Sequence, residues 1–302
     1  MTAPRFTLRQ LDIFATVVRT GQVRRAAEVL HLSQAAVSQA LRELALALDV
    51  TLFERHGRAL IPTADARQLL ELAAPSMAAL GAIDTRLSPE RADQPIVGRV
   101  VLAASSTITR YILPQALARL RREHPGLAVT VVSGNSATAE RRVADFEADL
   151  GFIEGPSQRD DLDAHAWATD TLQIIAPPDY PTETVAADNL ARHAWVAREP
   201  GSGTRAVFEH SLALAGLAAP HAALVIDDSG SIVRAVAAGA GLACVSRHAA
   251  TQASALSRVQ FIDLPSLALR RPLWRVERRN SQRSALIARL IAALTAALPS
   301  SE

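Results

Sequence analysis

The chain is without lysine: its 32 basic residues, histidine aside, are all arginine. A Schiff-base lysine and the phosphate-binding lysine of a P-loop are thereby excluded. What remains is a set of planar, always-charged forks suited to phosphates and guanine edges. One cysteine in 302 residues excludes an internal disulfide framework. Cys244 falls in the apolar run "GLACVSRH", where a small core residue is expected. No apolar stretch approaches the roughly 20 residues that span a bilayer. The opening "MTAPRFTLRQLDIF" has arginines and an aspartate where a secretory signal needs an apolar run, so a cytoplasmic location is expected. A G-x-S-x-G elbow is missing, and the 8 histidines show no pair at zinc-ligand spacing. No catalytic constellation, metal site or resident cofactor is therefore expected. The formal charge of +2 leaves room for a local basic face but not for a diffusely basic protein.

What is present divides into two grammars. Up to about Leu60 the pattern is helical. "LRQLDIFATVVRT" places Leu8, Leu11, Phe14, Ala15 and Val18 on one stripe, and "QVRRAAEVL" gives a second, short helix after Gly21. A tight turn, "LS", then offers Ser33 as the N-cap of a third helix that buries Val37, Leu41, Leu44 and Leu48. The exposed face of "HLSQAAVSQALREL" carries Ser33, Gln34, Ser38, Gln39 and Arg42 with alanines between them. Small residues let a helix sit deep in a major groove, while Ser, Gln and Arg reach phosphates and base edges. Close packing on another protein helix would use the same small residues. "TLFERHGRALIPT" reads as a two-stranded wing, with Arg55 and Arg58 beside Gly57 at its tip; these and Arg24 on the second helix would contact phosphates. From Thr63 to Ser88 a long helix places Leu69, Ala73, Met77, Leu80, Ile83 and Leu87 along a seam that suggests a partner helix, with Pro75 expected to bend it.

"SPERADQP" is a linker by composition, and continuous apolar strands alternating with helices follow it, which means a mostly parallel sheet covered on both faces. A second unit of the same grammar begins at "AHAWATD", and the final strand and helix return to the first unit. Two lobes joined by crossover strands hinge over a ligand. Two strand-to-helix turns carry the candidate contacts. "LAASSTITRYILP" crowds Ser105, Ser106 and Thr107 at a helix N-terminus, where backbone N–H groups favour an anion. "REPGSGTRAVFEH" repeats the arrangement with Ser202, Thr204 and Arg205, the arginine being placed to meet an oxyanion bidentately. Ser133, Asn135 and Glu154 end neighbouring strands on the same side, and Ser229 opens a further helix where an ordinary N-cap explains it as well. Glu154 is the odd member, since a carboxylate repels an anion unless it is protonated, paired with Arg205, or set against an amino group.

The first sixty residues carry a resemblance. Through "AAEVLHLSQAAVS", "LFER" and the Gly-Arg of the wing, without a gap, the chain resembles the LysR-type transcriptional regulators. It departs from their usual pattern at Gln22, Ala35, Gln39, Ala45 and Asp65-Ala66, which bears on the details of base recognition, where Ala35 still lines the recognition face. The resemblance implies a winged helix-turn-helix over residues 1–62, a linker helix over 63–90 and a periplasmic-binding-protein-like effector domain over 91–302. The lobes would divide at about 96–164 plus 268–302 and about 165–267. It also implies double-stranded promoter DNA, RNA polymerase and a small-molecule effector as partners, and a homotetramer built as a dimer of dimers. "GFIEGP" with "EPGSGTR" is similar to the branch holding sulfur-assimilation and carbon-fixation regulators. Two rival functions are a solute-binding protein, against which the missing export signal argues, and a cleft enzyme, for which no acid–base pair can be read.

Overall fold

A computed structural model describes residues 5–56, 59–87, 95–279 and 285–298. Helix α1 (Leu8–Thr20) opens on a capping box between Thr7 and Gln10 and ends at Gly21, whose φ of 66° suits a residue without Cβ. Helix α2 (Val23–Leu30) ends at His31 in the left-handed region, and α3 (Gln34–Leu48) begins on the Ser33 hydroxyl, which accepts from Ala36 N. Phe14, Leu44 and Leu52 form one buried cluster of this unit, and Ile13, Val17, Ala26 and Val37 the other. Strands β1 (Phe53–His56) and β2 (Ala59–Pro62) pair antiparallel as the wing.

Helix α4 (Ala64–Leu87) continues through Pro75 without interruption. The expected partner seam divides: Leu69, Ala73 and Met77 pack onto the core of the helix-turn-helix unit itself. It is Leu72 and Leu80, 70% and 42% exposed, that face outward. The side chains of Ile83 and Leu87 lie outside those described. A 3.6-residue helix offers two apolar faces here: the first three residues of the spaced stripe are covered by their own domain, and Leu80 falls on the outer face.

The larger part is built on a sheet whose strands lie in the order 260–262, 162–176, 270–278, 150–154, 98–105 and 127–134, with 243–246 also paired to 162–176. Strands β3 (Gly98–Ser105), β4 (Leu127–Gly134) and β5 (Leu150–Glu154) are parallel. Helices α5 (Leu113–Glu123) and α6 (Ser136–Ala144) connect them. A turn of π-helix, Ile108–Ile112, precedes α5. The 15-residue β6 (Leu162–Ala176) runs through both lobes. Up to Thr171 it pairs with β11 (Arg270–Arg278); from Leu172 it pairs with β9 (Ala243–Ser246) and β10 (Gln260–Ile262). The expected division at 164/165 therefore falls inside a continuous strand, and the changeover lies at Thr171 and its partner Arg270. The second lobe adds β7 (Trp195–Arg198), α7 (Gly203–Leu214), β8 (Ala222–Ile226), α8 (Ser229–Ala237) and α9 (Arg247–Ala255). The terminal helix α10 (Ala285–Ala296) returns to the first lobe, where Leu290 and Leu294 join Leu102, Leu113 and Phe152. Cys244 is buried in the second lobe's core. Among the described residues no helix is long and apolar enough to cross a membrane.

Candidate functional site

The face of α3 turned away from the core is assembled by one helical period. Val37 and Leu44 are buried, so Gln34, Ala35, Gln39 and Arg42 are left exposed and Ser38 half-buried. Ser33 spends its hydroxyl on the helix end. Arg42 donates to Gln39 Oε1 at 2.8 Å, and the Gln39 amide donates to Glu43 Oε1, also at 2.8 Å. Gln10 of α1 holds the other Glu43 oxygen at 2.9 Å, so the arginine reaches this carboxylate only through Gln39. A positive fork stands outermost on a face of small residues, as a groove-reading helix requires. Arg24 is exposed on α2 and pairs with Glu28 at 3.2 Å. Arg55 sits in β1 opposite Leu60, with its side chain outside those described; Arg58 is outside the described residues altogether.

The second candidate site, between the lobes, is a buried polar junction. Glu154, at the end of β5, accepts from Ser105 at 2.8 Å on the first lobe and from Thr204 at 2.8 Å on the second. Arg271, on the returning strand, donates to Glu154 at 3.2 Å and to Asp170 at 2.6 Å, and Ser246 gives Asp170 a further donor at 3.0 Å. Arg271 is 1% exposed and Glu154 3%. Burial opposes ionisation of Glu154. The Arg271 guanidinium and the hydroxyls of Thr107, Ser105 and Thr204 outweigh it and hold the carboxyl at about 2. Thr107 contributes to that field although its buried Oγ1 makes no hydrogen bond of good geometry. Gly203 explains how the lobes approach this closely: a Cβ there would stand 2.1 Å from the Glu154 carbonyl oxygen.

Arg198 makes a second buried junction. It grips Glu199 through Nε at 2.8 Å and Nη2 at 3.1 Å. It also donates to Ser229 at 3.0 Å and, across the lobes, to Ser106 at 3.3 Å. Arg110 of the first lobe meets Asp228 of the second at 2.5 Å. A groove of about 550 Å³ runs between α6 and α7, lined among others by Glu140, Pro156, Gly201, Arg205 and Val207.

Several expectations are redirected. Glu154 pairs with Arg271, not with Arg205, which is committed to Glu209 at 2.7 Å. Ser202 is the N-cap of α7, accepting from Arg205 N, and Asn135 is that of α6, accepting from Thr138 N at 2.9 Å. Ser229 is not a cap; Asp228 is, and Ser229 is left for Arg198. Ser133 stays exposed at the end of the edge strand β4. Sequence reasoning missed Arg198, Arg271 and Asp170. Only Arg198 carried a signal, as the charge that ends the otherwise apolar strand "WVAR"; Arg271 in "RRPLWRVER" and Asp170 in "AHAWATD" stand among other polar and charged residues. Among the described residues no group of three metal-ligating side chains occurs.

Known proteins agree with this organisation. Residues 8–67 match the family model "Bacterial regulatory helix-turn-helix protein, lysR family", and residues 93–299 match "LysR substrate binding domain". The chain is 34% identical over 287 residues to the HTH-type transcriptional regulator YeiE of Escherichia coli K12, covering 94% of this chain and 96% of that one. It is 30% identical over 288 residues to the HTH-type regulator CbbR of Xanthobacter flavus, covering 93% and 84%. A full-length OxyR variant from Pseudomonas aeruginosa shares the fold with a TM-score of 0.75 at 18% identity, covering 98% and 99%. The chain belongs to the LysR family of transcriptional regulators. It is a DNA-binding regulator with a small-molecule effector domain, not an enzyme.

Proposed function

We propose that the effector is a small oxyanion or carboxylate that binds where Arg198 joins Ser106 to Ser229. The observation carrying this is the direction of those hydrogen bonds: both serine hydroxyls accept from Arg198, so each keeps its own proton for an acceptor on a ligand. Ser105 and Thr204 already donate to the ionised Glu154, which moves the expected anion contacts from them to Ser106 and Ser229. A ligand there pulls on both lobes, and its differential affinity for open and closed forms is what shifts the protein.

On the DNA side, Gln34, Ser38 and Arg42 read base edges and Arg24, Arg55 and Arg58 hold phosphates. Two-fold half-sites follow from a dimer, and a dimer of dimers in the cytoplasm that touches RNA polymerase is the assembly in which the lobes reposition recognition helices. Thermal-shift titration with sulfate, sulfite, thiosulfate and small carboxylates tests the effector class. Stabilisation by an anion, lost in Arg198→Ala and Ser229→Ala, is expected; stabilisation by neutral or cationic compounds alone overturns it. Gel retardation on DNA upstream of the protein's own gene, across a salt series, tests the DNA role: specific retardation is expected, and none at any salt overturns it.

A further inference from the structure

Two residues past the end of α6, Phe146 holds a φ of 60°, the left-handed position in which glycine ordinarily ends a helix. The helix closes there in the usual way, with Glu147 N reaching back to Arg142 O at 2.8 Å, so nothing in the turn itself calls for a ring. What the ring touches does. One side lies 4.3 Å from the Arg278 guanidinium, which is itself fixed by the carbonyls of Val143 at 2.7 Å and Ala148 at 3.0 Å. The ring also joins the apolar cluster of the winged-helix unit, with Phe14, Leu44, Leu69 and Met77. Three residues on, Asp149 faces Arg19 of α1 at 3.8 Å while its other oxygen accepts from Val101 N at 2.7 Å. The effector domain therefore meets the DNA-binding unit through an apolar peg and a charge, both set in the connection from α6 to β5 and neither on the linker.

We propose that Phe146 and Asp149 form a dock by which the first lobe holds its own winged helix-turn-helix unit, and that β5 carries movement at the lobe junction to it. Asp149 precedes β5 and Glu154 ends it, so one strand of about 17 Å has the junction at one end and the dock at the other. Packed strands shift as units, so displacing Glu154 moves the peg without passing through residues 88–94.

Hydrogen exchange on the full-length protein, with neither DNA nor effector, tests this separately from the effector assignment. Phe146→Gly suits the backbone and removes the ring; Arg19→Glu removes the charge pair while leaving the turn intact. Each is expected to raise exchange in α1 about tenfold and to leave β3 and β5 unchanged. Glu154→Ala is expected to raise exchange in β5 and α1 together; added to Phe146→Gly, it is expected to raise β5 and to add nothing further in α1. If Phe146→Gly loosens the first lobe as a whole, Arg19→Glu decides. Exchange in α1 within about twofold of the parent in Arg19→Glu overturns the dock, and unchanged α1 in Glu154→Ala overturns the transmission.

Discussion

The recognition face of α3 and the junction between the lobes use the same vocabulary of serine, threonine, glutamine and arginine, yet they are opposite kinds of site. On α3 the bonds of Ser33, Gln39 and Arg42 join residues three or four apart and end in solvent. At the junction the partners are 49 to 117 residues apart and the groups are buried. The first surface is polar because water covers it until DNA replaces the water. The second is polar because two charged strands and two helix ends close on one another, and every group there has to be satisfied by another. Substitutions on α3 should therefore change binding and spare stability, and substitutions at the junction should do the reverse.

The largest effect expected is that of Arg271→Met. It leaves Glu154 and Asp170 buried without their cation, and a loss of about 3–5 kcal/mol in denaturant unfolding should follow. A loss under about 1 kcal/mol would mean the junction is no tighter than a surface pair. Acid probes the same network. Glu154 titrates at about 2 folded against an ordinary 4.5, so its contribution is complete above pH 4.5 and disappears as the pH falls toward 2. Melting temperatures should drop over that window, and Glu154→Gln should show a shallower drop. Gly203→Ala comes next: its methyl meets the Glu154 carbonyl, so the lobes should part at a cost of about 1–3 kcal/mol, read as a larger radius of gyration in X-ray scattering. On the other side of the contrast, Gln34→Ala should weaken specific DNA binding by about 1–3 kcal/mol. Its stability should stay within about 0.5 kcal/mol of the parent. Equal losses on specific and random duplexes would make Gln34 a phosphate clamp instead of a base reader.

How much was legible follows the same line. Ser33 as a cap, the three short helices, the wing and the alternating strands and helices all follow from signals that act within a few residues. So does the exposed face of α3, since a 3.6-residue period and two buried residues fix what is left outside. The hydroxyls of Ser105, Ser106 and Thr204 were legible as a cluster at two helix starts, but not whom they serve. Arg205 looked like an anion fork and instead forms an i, i+4 pair with Glu209. Arg198 and Arg271 passed unnoticed because a strand's periodicity does not say which neighbour will lie across from a charge.

The sequence by itself determined that this chain builds a winged helix-turn-helix and a two-lobed sheet domain, because caps, glycines and apolar periods are enforced by neighbours along the backbone. Only the tertiary structure decided that Glu154 takes the hydroxyls an anion was expected to take, and that Arg271 and Asp170 hold it there. A buried charge is stable only where its partners are brought to within hydrogen-bond reach, and those partners come from strands more than a hundred residues away in the case of Arg271.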